Sequence, residues 1–202
     1  MDFRGITIGI LNSRDKWIDE CISSATRQYY PPEFYDIHVE ANLEKQMTIG
    51  AGYNKIVREA KYDWIFFLGD DDMITRTYLF NLNAFIDGVK EQHPDADIVS
   101  ATTYLTVIDS TKRLGIDVAP QGMWRKDFLL KNPFDETLER YVDTDLFNRV
   151  NEMEDNMIIL DKTNHGYFYR QHDNNISANK FEAKTQILDM IEEKFGRNRL
   201  YA

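Results

Sequence analysis

Three consecutive aspartates, Asp70, Asp71 and Asp72, close the stretch "WIFFLGDDD". Neighbouring carboxylates repel one another and add little to a core, so their chemistry is the first thing to explain. Hard divalent cations such as Mg²⁺ and Mn²⁺ take carboxylate oxygens, and complete their shells with water and substrate phosphates. The plainer alternative is a solvated turn in which aspartates cap the following helix. Their position directly after an apolar run, Trp64 to Leu68, favours the ligand reading. Rival motifs fail on spacing. A calcium loop of the EF-hand type starting at Asp70 needs Gly at its sixth position and Glu at its twelfth, where Thr75 and Asn81 stand. A phosphate-transferring D-x-D-x-T/V loop normally follows a first strand directly, whereas here Gly69 intervenes after a third predicted strand. No G-x-x-x-x-G-K-S/T segment is present.

The elements around the aspartates read as alternating strands and helices. "ITIGIL", residues 6–11, is β-branched and apolar throughout, as in a strand buried on both faces. In "KWIDECISSATRQY", Trp17, Ile18, Cys21, Ile22 and Ala25 fall at helical spacing. A second strand is predicted near 35–40, after a Pro-Pro pair. Residues 50–61 form a Gly-rich turn opening a helix, "DWIFFLG" a third strand, and "TRTYLFNLNAFIDGVKEQ" a helix. "ADIVSATTYL" is a fourth strand, with a further strand possible at 105–109. This order predicts an α/β fold: a mostly parallel sheet with helices on both faces, in which ligands bind beyond the carboxyl ends of the strands. The aspartates lie at such an end. Near the C-terminus, Phe181, Leu188, Ile191 and Phe195 make an amphipathic helical stripe.

Bulk properties narrow the class. The chain has 202 residues, for which one domain is expected, and a net charge of −10 with no dense Lys/Arg block. That counts against tight, phosphate-driven nucleic-acid binding. One cysteine, Cys21, excludes an internal disulfide framework and fits a reducing compartment. The longest purely apolar run falls far short of the roughly 20 residues needed to span a bilayer. An acid at position 2 and no cleavage pattern predict no signal peptide. A cytoplasmic protein is expected.

Four segments, in order, resemble the family 2-like glycosyltransferases of the GT-A fold. They are "ITIGILNSRDKWIDECISSATRQYYPPEFYDIHVE", "GAGYNKIVREAKYDWIFFLGDDD", "GMWRKDFLLKNPFDETLERYVDTDLFNRV" and "GYFYRQHDNNIS", spanning residues 6–177. The resemblance implies a single GT-A domain over 1–202, with a nucleotide-sugar-binding half at 1–104 and an acceptor-side half at 105–202. It implies a nucleotide-diphosphate sugar as donor, a UDP-sugar first of all, and Mn²⁺ or Mg²⁺ between aspartates and diphosphate. Carried over, Asp70 and Asp72 become the metal and phosphate pair with Asp71 as the close alternative, and His172 reaches the metal or diphosphate with Arg170 nearby. Many members carry an acid at the place of Gly69.

The same resemblance seats the nucleoside on Leu11, Asn12 and Arg14 and on Gly52 and Asn54, where a helix N-terminus favours an anion. "VEANL" replaces the family's V-D-D-G-S, so Glu40 or Asn42 must hold the base. Asp143 in "YVDTDLF" matches the usual catalytic base of an inverting transfer, with Asp145 as fallback and Val142 where a preceding acid is common. Two acids two residues apart on a helix do not share a face, so one of them is expected to look into the site. Trp124, after Gly122 and Met123, either stacks on a sugar or acceptor ring or packs in the core. The acceptor (glycan, small molecule, protein or modified nucleic acid) is open, and one transfer is expected rather than processive synthesis. Two other readings stand beside this one: a GT-A-like nucleotidyltransferase, and a non-catalytic sugar-nucleotide-binding module.

Overall fold

The structure is a computed structural model that describes residues 2–109, 122–138 and 142–172. The predicted C-terminal helix, with Phe181, Leu188, Ile191 and Phe195, lies outside the described residues. A central sheet takes β1 (Ile6–Asn12), β2 (Tyr35–Ala41), β3 (Trp64–Phe67), β5 (Asp97–Thr103), β7 (Met123–Arg125) and β8 (Asn156–Asp161) in the order β2-β1-β3-β7-β5-β8. Strands β2, β1 and β3 are parallel, as are β5 and β8; β7 runs antiparallel to both β3 and β5. A second, three-stranded sheet joins β4 (Met73–Ile74), β9 (Tyr167–Arg170) and β6 (Leu105–Ile108).

Alternation along the central strands sends side chains to two cores, one on each face. Ile6, Ile8 and Ile10 of β1 and Phe66 of β3 face helices α1 (Ile18–Thr26) and α3 (Tyr78–Gln92), against Cys21, Ala25, Leu79 and Leu82. Leu11, Ile65 and Phe67 face α2 (Ile49–Glu59), α4 (Lys126–Lys131) and α5 (Val142–Asn151), against Ile56, Val57, Phe128 and Leu146. Most of these side chains are sealed from solvent, and each full burial contributes about 1.5–3 kcal/mol. Helix α2 lies close to the sheet because β1 gives it room: a Cβ on Gly9 would meet Ile56 at 2.6 Å. Among the described residues no helix is long and apolar enough to cross a membrane.

The two parallel halves of the sheet, β2-β1-β3 and β5-β8, meet only through β7. The carboxyl ends of β1 and β3 therefore open next to each other, and the aspartates leave β3 there. Strand β9 pairs with β4, just past the aspartates, through Met73–Phe168 and Ile74–Tyr167. The second sheet thus brings residues 167–172 back over the aspartate turn.

Candidate functional site

The turn is built before any ligand arrives. Asp72 N–H donates to the Gly69 carbonyl at 3.0 Å, and the buried Cys21 thiol donates to that same carbonyl at 3.2 Å. All three aspartates are buried, and each has its own set of partners, with Arg14 shared by Asp70 and Asp71. Asp70 accepts from the Ser13 N–H at 2.7 Å, the Ser13 hydroxyl at 3.0 Å and Arg14 at 2.9 Å, all in the loop after β1. Asp71 meets Arg14 Nη1 at 3.0 Å and His172 Nε2 at 2.9 Å. Asp72 accepts from the Tyr167 hydroxyl at 2.6 Å and the Arg170 N–H at 2.9 Å, both on β9.

These partners change the division of labour expected from the sequence. Asp70 and Asp72 lean to opposite elements, and among the described residues the aspartates do not converge as a three-ligand cluster. Burial pushes the Asp72 carboxyl up to about 8, with the Asp71 charge adding to the rise; Tyr167, Arg170 and Arg14 work the other way. The pair that the structure brings into contact is Asp71 and His172. Gly69 explains the arrangement: a Cβ there would lie 2.6 Å from Asp72 Oδ2. The Asp72 carboxylate occupies the space beside residue 69.

Arg170 is 7% exposed and acts as a clamp rather than an open cation. Its Nε donates to the Asp71 carbonyl at 3.0 Å, its Nη groups pair with Glu20 and Asp109, and its guanidinium sits 5.5 Å from the Trp17 ring. Trp17 also covers His172, with ring centroids 4.3 Å apart. Arg14 is held charged: burial alone would lower its pKa, but the Asp71 and Asp70 charges more than offset that.

On the donor side the expected residues divide. Asn12 stands at the carboxyl end of β1 with its Oδ1 buried and without a hydrogen-bond partner, and the Arg14 Nε is likewise unmet. Such orphaned buried atoms are rare and invite a ligand. Leu11 and Gly52 serve packing, since a Cβ on Gly52 would strike Leu11 at 2.5 Å. Asn54 is buried and bonds both backbone groups of Phe134, at 2.9 Å each, so it pins the segment before α5 rather than a nucleotide. Asn42 closes a turn by bonding the Met47 N–H and carbonyl. Glu40 turns to Lys55, at 2.8 Å.

Asp143 and Asp145 stand in the first turn of α5. Asp145 pairs with Arg149 at 2.9 Å, one helical turn on. Asp143 is half-buried and receives the Thr144 N–H at 2.8 Å. Tyr53 links it to the aspartates. Burial first, then the charges of Asp143, Asp70, Asp72 and Asp71, push the Tyr53 hydroxyl well above the ordinary tyrosine value. One phenol therefore feels the charges of Asp143 and of the aspartate turn together. Trp124 is a correction: it is 1% exposed, between Phe128 at 6.2 Å and Phe147 at 5.6 Å, so its ring faces core neighbours and not an acceptor. Gly122 is there for close approach, because a Cβ would meet the Ala101 carbonyl at 2.9 Å.

Ser13, Trp17, Tyr53 and Tyr167 join the site without having been singled out in the sequence. Only Ser13 carried a local signal, as part of the "NSRD" turn. The aromatics read as ordinary helix and strand residues.

No family model and no curated protein matches the chain. Solved structures do match. Residues 1–349 of S. aureus TarS in complex with UDP-GlcNAc superpose with a TM-score of 0.67 at 15% identity, over 94% of this chain and 66% of that one. The mannosyltransferase PcManGT from Pyrobaculum calidifontis, in complex with GDP-Man and Mn²⁺, gives 0.64 at 10% identity, over 85% and 58%. TarS 1–349 without a named ligand gives 0.64 at 15%, over 82% and 60%. The chain thus spans about three fifths of the length of these proteins. At such identities the likeness concerns the fold, and the fold is that of the GT-A glycosyltransferases.

Proposed function

We propose that the chain is a metal-dependent glycosyltransferase that moves one sugar from a nucleotide-diphosphate sugar, a UDP-sugar in the first instance, to an acceptor hydroxyl with inversion. The observation that carries this reading is the donor-side mouth. The orphaned Asn12 Oδ1 and Arg14 Nε lie beside a turn in which Asp71 meets His172. In a GT-A fold that is where a nucleoside and its diphosphate would supply the missing partners.

The residues fit a divalent ion. Asp71 and His172 would offer one oxygen and one nitrogen, and diphosphate oxygens and water would complete the shell. Mn²⁺ accepts such a mixed pair more readily than Mg²⁺. A diphosphate arriving beside Asp70 and Asp71 would be repelled by their charge, and a cation held there would offset that repulsion. When bound, the ion would act as a Lewis acid on the leaving diphosphate. Arg14 would add a second positive charge on the same side. Asp143 would take the proton of the acceptor hydroxyl as its oxygen bonds to the anomeric carbon and the bond from that carbon to the diphosphate breaks. Asp70 holds Ser13 and Arg14 in place, and Asp72 holds the strand that carries Arg170 toward His172.

Thermal unfolding with a panel of nucleotide-sugars, with and without Mn²⁺ or Mg²⁺, tests this. A ligand at about 100 times its dissociation constant should add about 2.7 kcal/mol. A metal-dependent shift with one donor, lost in Asp71→Asn and His172→Ala, is expected. Absence of any shift across the panel would overturn the reading, and donor binding with no transfer or hydrolysis would leave the binding-module alternative.

A further inference from the structure

Strand β2 is an edge of the central sheet, and His38 and Glu40, two residues apart, project from it to one face. That face carries Glu59, the last residue of α2. His38 Nε2 lies 3.4 Å from Glu59 Oε2 and 3.8 Å from Glu40 Oε2, and the three ligand atoms all fall within 4.8 Å of one another. Neither histidine contact has hydrogen-bond geometry. His38 Nε2 is sealed from solvent with no hydrogen-bond partner. Lys55 meanwhile holds the other oxygen of Glu40, Oε1, at 2.8 Å. One oxygen of that carboxylate is thereby fixed and the second is turned to the imidazole.

We propose that His38, Glu40 and Glu59 form a site for a divalent transition-metal ion of the Zn²⁺ class, separate from the aspartate turn. Bonds of about 2.0–2.1 Å to a tetrahedral ion place ligand atoms roughly 3.4 Å apart, so the two histidine spacings of 3.4 and 3.8 Å need little closing and the two glutamates, within 4.8 Å, swing together. One imidazole nitrogen with two carboxylates is a donor set that selects Zn²⁺, Ni²⁺ or Cu²⁺ over Mg²⁺ or Ca²⁺. Three protein ligands leave a fourth position for water. Lys55 is a positioning residue here: it orients Glu40 as an outer partner orients a metal-ligating carboxylate. Bound there, the ion would join the edge strand to the end of α2. The site stands whether or not the chain transfers sugar.

Isothermal titration of the metal-stripped His172→Ala protein with ZnCl₂ tests it, because that background disables the pair at the aspartate turn. One equivalent of Zn²⁺ should bind, unaffected by excess Mg²⁺. Adding His38→Ala, or separately Glu59→Gln, should weaken it by about tenfold or more. Both side chains are partly exposed, at 23% and 48%, so the variants should fold, which the metal-free unfolding midpoint checks. If His38→Ala proves unstable, Glu59→Gln decides. Zinc affinity unchanged in both variants, or no zinc binding in the His172→Ala parent, would overturn the proposal.

Discussion

Replacing Gly69 by alanine tests the claim that Asp72 fills the space beside it. The backbone there is not in the left-handed region, so any cost must come from the added methyl group. That carbon would sit 2.6 Å from Asp72 Oδ2 and 3.1 Å from its Cγ. Ordinary contact begins near about 3.5 Å, so the carboxylate must retreat by roughly 0.9 Å. It is pinned at 2.6 Å by Tyr167 and at 2.9 Å by Arg170 N–H, and such a move breaks at least one of the two bonds. A buried partner left unmet costs about 1–3 kcal/mol. The stiffer unfolded chain returns about 0.4–1 kcal/mol. The net loss of roughly 1–2 kcal/mol should lower the unfolding midpoint by about 2–8 °C in a chain of this size. The decisive assay is a cycle with Asp72→Ala. Once the carboxylate is gone, Gly69→Ala should be neutral or mildly stabilising. Additive losses in the double variant would refute the steric argument.

Other outcomes follow from the same contacts. Asp143→Asn should lower transfer by about 10²–10⁴-fold while leaving the donor-induced thermal shift intact. Asp145→Asn, which removes only a helix pair with Arg149, should change turnover by less than about threefold and stability by about 0.3–0.5 kcal/mol. The raised Asp72 carboxyl gives the metal-free chain a pH signature. Its proton is held more tightly folded than unfolded, so its contribution is fully present below the unfolded carboxylate range and is lost as pH rises through about 8. Unfolding in EDTA should therefore be easier at pH 8.5 than at pH 5, and Asp72→Asn should flatten that difference.

The sheet's first half was legible because its strands carry their own signal. Ile6, Ile8 and Ile10 on β1 and Ile65 to Phe67 on β3 are apolar runs bounded by turns, and α2 follows its Gly-rich opening within a residue or two. Strand β7 was not legible. Three residues are too few for a period, and Met-Trp-Arg there is fixed by backbone pairing to Phe66 and Ser100, which are distant in sequence. For that reason Trp124 read as a possible stacking platform when it is core. The two-residue β4 hid the second sheet in the same way. At the site, residue types pointed to an acidic turn with a histidine nearby. Which aspartate meets which partner depends on Tyr167 and Arg170 returning from far along the chain, and no local spacing encodes that. Gly50, Gly52 and Asn54 resembled a phosphate-binding opening, yet steric fit to Asp135 and Leu11 and bonds to Phe134 explain them.

The antiparallel β7 also bears on how the chain matures during synthesis. Strands β3 and β5 are complete by residue 103, but neither has its inner neighbour until residues 123–125 have been made. Until then a growing polypeptide carries one open edge on β3 and two on β5, whose other neighbour β8 is made later still, and such unpaired edges stick to other chains. The boundary between the two parallel halves of the sheet is thus no boundary for folding. A fragment ending before Met123 would lack the strand that joins the two halves, and translation that slows just before it would prolong the interval in which a chaperone is needed.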